Sequence, residues 1–596
     1  MSVVSAEEIA TFGANNLHDI LRRVAGINPV NGAVLRDNLV SIRGQHSGTI
    51  DRRVLLLIDG RPYRDGHAGG VNENFYRTFP ISAIEKIEII RGPGSVLYGS
   101  SATSGVINIV TRKDAHTEVS VFGGSFETAA SEFSGAGRKG ELTWQANGKY
   151  LYSSGWPYAS VDLADSRQTE KLSLQDKSVQ FGVGFYGFSA SLFSSKIDEE
   201  VFDSSLQFFW PSDRYVKRQD VYNLGYKTEW RDNWSVDINI THNAHDRRTD
   251  DGATDIEAET TLLEATFDGE LHKHLFLVSG LSYQTLGGND FSNPTSKASW
   301  DQTWRSAYYQ FRYEPLNKLD VTFGQHYTDI KNTTSLGGDK NANDTSSRIA
   351  VGWTFIDAWK LKLLWSEAYR SPFGGELSFQ SFLLGNPDLE PEQVDTKEMQ
   401  FLYAQRRWSA SANVFRSVYQ DEIVIVPRGN EPGLTYRNQG ELKIKGGELE
   451  FAYDPTNKIR ITGSYSVHKN LTDGNSRDSV RISEEMYKLG LAYKAHEGIK
   501  LGLFNTFFSE SPVASENSGS VMNPEAEGYH HMSVNLMVEP AKWKGWQLFK
   551  TLKISLYGDN LLEEEAPYQP DLTATAINTF PARAGRAWYL KLYYGF

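Results

Sequence analysis

Cysteine is missing from all 596 residues, which excludes disulfides, thiolate metal sites and a cysteine nucleophile. Such a chain fits an extracytoplasmic protein that does not depend on disulfides, and equally a cytosolic one. Long apolar runs are missing too. The longest purely aliphatic stretch is Val54 to Ile58 and the mean hydropathy is -0.45, so no transmembrane helix is encoded. A membrane-spanning β-barrel stays open, because only alternate residues of its strands face lipid. Positive charge is in deficit. The net charge of -13 argues against nucleic acid as a partner, which would require a basic face, and it is read as solvated acidic loops. Residues 1–12 show neither the basic n-region nor the apolar h-region of a signal peptide, so in an exported protein this numbering would begin inside the mature chain. No G-x-S-x-G elbow and no H-E-x-x-H motif occurs, and thirteen scattered histidines define no dyad.

What is present divides at Ile87 to Arg112. Before that stretch ends, the pattern is mixed. Leu17, Ile20, Leu21 and Val24 mark one face of a helix, with Asn15 or Asn16 to cap it and Gly26 to stop it. Strands are expected at Leu39 to Arg43, Val54 to Ile58, Ile87 to Ile90 and Val106 to Val110. Tyr63 to Arg77 reads as a long polar loop, and Ile81, Ile84 and Ile87 as a short helical turn. After Arg112, alternating strands continue to the last residue, as in Ser235 to Ile240, Ile349 to Phe355 and Met532 to Val538. Short connections (Arg138 to Gly140, Asp454 to Asn457, Glu497-Gly498) intersperse with long ones. The long ones are expected at Ser153 to Thr169, His242 to Thr260, Lys331 to Ser347, Ser371 to Asp395 and Ser509 to Tyr529. That asymmetry is the mark of an outer-membrane barrel. About 480 residues over 22 strands leaves roughly 22 per strand with its connection, which fits the large plugged class.

Five motifs then occur in order. They are Val40-Ser41-Ile42-Arg43-Gly44, Leu57-Ile58-Asp59-Gly60, Ile87-Glu88-Ile89-Ile90-Arg91-Gly92-Pro93, Leu97-Tyr98-Gly99 and Gly105-Val106-Ile107-Asn108-Ile109. Together they resemble the plug domain of TonB-dependent outer-membrane receptors. Asn386-Pro387-Asp388-Leu389-Glu390-Pro391-Glu392 and Gly558-Asp559-Asn560-Leu561-Leu562 resemble barrel signatures of the same family. The resemblance covers essentially the whole chain. It implies an all-β transmembrane barrel of 22 antiparallel strands over residues 114–596, with an α+β plug, residues 1–113, inside its lumen.

The resemblance also implies functional residues. Arg43 and Arg91 are expected to meet two barrel carboxylates, Glu398 and Glu448, in a lock between plug and barrel. Across the rest of that interface, polar lumen-facing residues predict a wet, polar contact. The final strand places Trp588, Leu590, Leu592, Tyr594 and Phe596 on one face, resembling the signal read by the barrel assembly machinery. Tyr63, Arg64, His67, Asn72, Asn74, Tyr76 and Arg77 would form a plug apex suited to an anionic, aromatic ferric siderophore. Asp246, Asp250, Asp251 and Asp255 cluster in one expected loop and could hold Ca²⁺, though not with EF-hand spacing. No cofactor is otherwise required. The implied partners are TonB, the iron complex, outer-membrane lipid with lipopolysaccharide, and the assembly machinery. No Ton box is evident, so the chain as numbered is expected to bind ligand without transporting it. Haem and cobalamin are the alternative cargoes. No histidine lies between Arg370 and Asn386, where haem receptors carry one, and adjacent His530 and His531 would point to opposite faces. A passive porin lacks a plug, and an outer-membrane enzyme lacks its motif.

Overall fold

The computed structural model describes residues 1–596 apart from 31–36, 38, 46–50, 71, 162–166, 202–212, 232, 251, 253, 294–296, 379–382, 430, 472–481, 511–526, 544–550 and 565–583. The N-terminal segment forms β1 (Ser2–Ser5), α1 (Ala6–Phe12), α2 (Leu17–Leu21), β2 (Ile27–Val30) and β3 (Leu39–Ile42). There follow β4 (Val54–Ile58), β5 (Arg61–Tyr63), α3 (Glu73–Thr78), β6 (Ile84–Arg91), α4 (Ser95–Tyr98) and β7 (Gly105–Thr111). The main sheet runs β1-β6-β7-β4-β5, and β7 pairs in parallel with β4. The expected helix at Leu17 starts where its cap predicts, since the Asn16 side chain accepts from the Asp19 backbone N–H at 3.0 Å. It stops at Leu21, earlier than the apolar spacing suggested.

Leu17, Ile20, Leu56, Phe75, Phe79, Ile87 and Ile107 make one buried core. Each such side chain removed from water contributes about 1.5–3 kcal/mol. Two barrel residues, Phe193 and Val221, belong to the same core. Phe193 lies 5.6 Å from the Phe75 ring and 5.7 Å from Phe79. The plug–barrel contact is therefore not uniformly polar, as the lumen argument predicted. An apolar patch on the lumen wall extends the plug core.

The chain leaves the plug at Thr111 and enters the barrel wall at β8 (His116–Gly124), on either side of the expected boundary at 113/114. The barrel closes with 22 strands, each antiparallel to its neighbours. The last strand, Ala587–Gly595, completes it by pairing with β8, Leu592 opposite Val121. Connections on the rim nearest the last residue are tight turns, such as those after Lys139, Phe185, Leu316 and Gln405. Val538 to Lys553 is a longer exception on that rim. Longer connections lie on the opposite rim, but two of those expected are strands. The strand Trp234–Thr249 turns into Asp255–His272, and Leu319–Thr334 into Gly337–Ile356. Strands of this length exceed the 9–11 residues needed to cross lipid. Their upper parts stand clear of it, so both faces are polar and alternation fades from the sequence.

On the short-turn rim, Trp408 stacks on Tyr453 at 3.9 Å and Trp359 lies 4.8 Å from Tyr403, an aromatic girdle at one edge of the apolar band. Among the described residues no helix is long and apolar enough to cross a membrane, which says nothing against a barrel.

Candidate functional site

Half-way down the lumen, two plug arginines meet three barrel carboxylates. Arg43 follows β3 with φ 57, and Gly44 beside it has φ 78. A Cβ on Gly44 would lie 2.0 Å from the His468 ring, so glycine lets the β3 turn touch the wall. Arg43 Nη1 donates to Glu398 Oε2 at 2.6 Å, and Nε and Nη2 donate to the two Glu448 oxygens at 3.2 and 3.1 Å. Its guanidinium also sits 4.4 Å from the Phe415 ring centre. Arg91, ending β6, approaches Glu448 at 3.4 Å, donates to the Ala25 carbonyl at 3.0 Å and pairs with Glu450. The four residues expected to meet do so. Glu450 went unrecognised, although period-two spacing puts it on the same strand face as Glu448.

The wall also binds plug backbone. Lys488 Nζ donates to the Val24 and Ile27 carbonyls at 2.6 Å each, Lys149 donates to the Asn15 carbonyl at 2.8 Å, and Lys591 donates to that of Ala14. These lysines bind backbone carbonyls in the plug segments that flank α2.

The residues expected to form a ligand-binding apex lie in the segment read as a long polar loop. All seven are buried. Tyr63 packs in the plug core 5.1 Å from Phe75. Tyr76 Oη donates to Asp51 at 2.7 Å, and the Asn72 side chain donates to the same carboxylate oxygen at 3.5 Å. Burial pushes the Asp51 carboxyl up to about 8, despite these two donors. Arg64 donates to the Tyr98 carbonyl, and Asn74 to that of Lys217. His67 Nδ1 lies 2.9 Å from Arg247, its ring is 5.1 Å from Trp300, and burial holds its pKa well below the usual histidine value. Arg77, in α3, is held by Asp176 at 2.7 Å and Glu199 at 2.6 Å. Sequence cannot tell a polar residue facing water from one buried in a polar lumen; here the wall takes Asn74, His67 and Arg77, and the plug itself takes the others.

A larger network closes the upper lumen. Arg53 donates to Glu392 at 2.9 and 3.0 Å and lies 3.1 Å from Glu422. Arg370 spans Glu392 and Glu376, both at 2.8 Å, and Arg52 reaches Glu376 at 2.9 Å. Glu376 sits in α5 (Gly374–Ser378), inside the connection after Arg370. That connection lies directly on the plug. Gly375 N–H donates to the His67 carbonyl at 2.9 Å, and a Cβ on Gly69 would lie 2.0 Å from Phe373. These six charges are buried or nearly so, in alternating sign, and only Glu392 falls inside a motif, at the end of Asn386 to Glu392.

The chain was compared with known proteins. A family model described as the TonB-dependent receptor plug domain matches residues 1–106, and one described as TonB dependent receptor-like, beta-barrel, matches 133–561. The chain belongs to the TonB-dependent receptors. An iron-regulated outer membrane virulence protein of Vibrio cholerae is 24% identical over 542 residues, covering 83% of this receptor and 79% of that protein. The ferric enterobactin receptor of Pseudomonas aeruginosa, as a G324V mutant, superposes with TM-score 0.80 at 16% identity, covering 100% of this receptor and 98% of that chain. The ferric-catecholate import receptor of E. coli K12, in its closed form, gives 0.78 at 14% identity, covering 100% and 96%.

With the family known, the rims are oriented. The receptor lies in the outer membrane, with short turns facing the periplasm and long connections outside. Family members are transporters or receptors. Among the described residues no group of three or more His, Asp or Glu could hold a metal ion, so Asp246, Asp250 and Asp255 of the expected calcium cluster form none by themselves. Asp246 points outward, 3.9 Å from Arg248, and Asp250 and Asp255 are exposed. Asp251 lies outside the described residues. His530 is exposed and His531 is buried against Asp559 at 2.9 Å, the opposite-face placement expected. On the last strand, Trp588, Leu590, Leu592, Tyr594 and Phe596 all face outward and are exposed.

Proposed function

We propose that the receptor binds a ferric siderophore of the catecholate type at its external face and imports it with energy transmitted by TonB. The observation carrying this reading is the similarity along most of the chain to an iron-regulated outer membrane protein. Ferric enterobactin and ferric-catecholate receptors among the structural neighbours support it. The geometry supplies the need for energy. Buried ion pairs hold the plug in several places: a network at Arg43 and Arg91, another at Arg52, Arg53 and Arg370, and Arg77 on Asp176 and Glu199. Removing one partner from such a pair costs about 3–5 kcal/mol. Thermal motion seldom opens them together, whereas a pull on the plug breaks them in sequence. The five charges at mid-lumen, Arg43, Arg91, Glu398, Glu448 and Glu450, thus act as the lock, and the outward aromatic face of the last strand serves assembly. Haem is not favoured, because His67 is engaged by Arg247 and Trp300 in the closed plug.

Quenching of intrinsic fluorescence tests the cargo. Ferric enterobactin is expected to saturate the purified receptor at submicromolar concentration, with haemin and cobalamin inert. Saturation by cobalamin or haemin alone would overturn the reading.

A further inference from the structure

The arginines that hold the plug, Arg43, Arg53, Arg77, Arg91 and Arg370, all face carboxylates. Three cations in one sector of the lumen do not. The sector is walled by four consecutive strands, Ala298–Leu316, Leu319–Thr334, Gly337–Ile356 and Trp359–Arg370. Arg64 of the plug is 4% exposed and donates to the Tyr98 carbonyl, but its Nε and Nη1 have no hydrogen-bond partner among the described residues. It lies 5.8 Å from the ring of Trp304, whose Nε1 is likewise unpartnered. Arg348 and Lys362 are half-buried in the wall and form no ion pair among the described residues. They face the lumen, since Arg348 pairs with Gly324, where a Cβ would lie 2.9 Å from Val96 of the plug, and Lys362 pairs with Gly352 on the same face. The carboxylates nearest them are taken, Glu398 by Arg43 at 2.6 Å and Asp320 by Lys360 at 2.5 Å.

These three cations descend toward the periplasm. Trp304, beside Arg64, is opposite Ile330. Arg348 is opposite Gly324, and Gly352, which pairs with Lys362, is opposite Asp320. At about 3.3 Å per residue the two steps are about 20 Å and about 13 Å along the strand. Aromatic rings fill the first step: Tyr308 is stacked on His326 at 5.8 Å, and Tyr369 lies 6.1 Å from the same histidine. The short helix α4 stops the descent. It lies against all four strands, with Val96 seated on Gly324 and a Cβ on Gly99 only 3.6 Å from His326. Neutral hydrogen bonds attach it to the wall. The Tyr369 N–H donates to Ser95 Oγ at 3.4 Å, the Ser101 N–H to the Tyr369 carbonyl at 3.3 Å, and the Ser371 N–H to Ser100 Oγ at 3.0 Å. Such bonds are about half as strong as the charged ones that hold the plug elsewhere.

We propose that this sector is the transit path of the cargo: α4 withdraws from Gly324 when the plug is pulled, and an anionic, aromatic iron complex passes from Arg64 to Arg348 to Lys362. The proposal rests on the siderophore reading above and adds the route and the wall residues that serve it. An unpaired cation takes up an anion without first giving up a carboxylate, and Tyr308, His326 and Tyr369 offer rings for stacking between the charged steps. Several weak sites in series let the complex enter each one and still leave it.

Binding and uptake of radioiron as ferric enterobactin, measured side by side in cells with TonB and the full-length receptor, test this. Arg348→Gln and Lys362→Gln should each lower the maximal uptake rate about fivefold, and together about 25-fold, because the two sites are far enough apart to act independently. Binding at the outer face should stay within about twofold in all three. Arg348→Lys with Lys362→Arg should keep uptake within about twofold of the unaltered receptor. Lys500→Gln is the control, a lumen cation outside the sector, paired with Glu539 at 3.4 Å; it should leave the rate unchanged. Unheated gel mobility checks that each barrel is folded. With no native cysteine, Ala350→Cys places a single thiol on the buried lumen face between Arg348 and Gly352. A maleimide should label it faster during uptake, while Ser555→Cys, buried on another part of the wall, stays protected. Binding by the unaltered receptor reports on the siderophore reading, and the split between binding and uptake in the variants reports on the path. Full-rate uptake in the double glutamine variant, an equal loss in Lys500→Gln, or protection of Ala350→Cys during uptake would overturn the proposal.

Discussion

Arg43 shows how one side chain is committed to two carboxylates. Its guanidinium spends three N–H donors on Glu398 and Glu448, and Glu448 is also approached by Arg91. Arg43→Ala would leave Glu448 buried with half its compensation, a loss of about 3–5 kcal/mol in plug docking. Glu448→Ala in the same molecule should cost less than the sum of the two single changes, because the stranded charge is then gone. Hydrogen exchange at β3 and the end of β6 reads the difference; additive losses would mean the pair is not coupled. Arg43 and Arg91 were legible because each sits inside a motif with its own glycine or proline punctuation, and Glu398 and Glu448 because the family resemblance implied them. Arg52, Arg53, Arg370 and Glu376 were not. Charges in an external connection look solvated in sequence, and only the fold reveals that the connection lies on the plug.

At the level of whole elements, the plug strands were read well and the barrel connections less well. β4 matches its expected span because a continuous aliphatic run bounded by Asp59-Gly60 admits little else. The Tyr63 to Arg77 segment failed as a loop because α3 (Glu73–Thr78) carries polar residues that are buried inside the lumen, Asn74 and Arg77 bonded to the wall and Tyr76 to Asp51 of the plug. The hairpin at Thr334 and Gly337 failed as a loop because its strands continue above the lipid, where alternation has no cause. Where β3 meets the wall, the fit is tight enough to test. Gly44→Ala adds a methyl group 2.0 Å from His468 at a φ of 78, so both clash and backbone strain oppose it. Limited proteolysis should cut the plug of this variant faster, with the barrel intact; an unchanged plug would show that β3 has room to shift.

For the molecule as a whole, the plug and barrel form one sealed body in which a barrel phenylalanine completes the plug core. Sequence fixed neither that shared core nor the upper charge network, yet barrel class and plug were evident from alternation and from five ordered motifs. A lumen occupied by a plug held in buried ion pairs opposes passage of a bulky complex by diffusion, so transport depends on work done on the plug. The direct test is uptake of radioiron presented as ferric enterobactin by cells expressing the full-length receptor, in hosts with and without TonB. The expected result is saturable binding in both hosts and accumulation only where TonB is present. Equal accumulation without TonB would contradict the account.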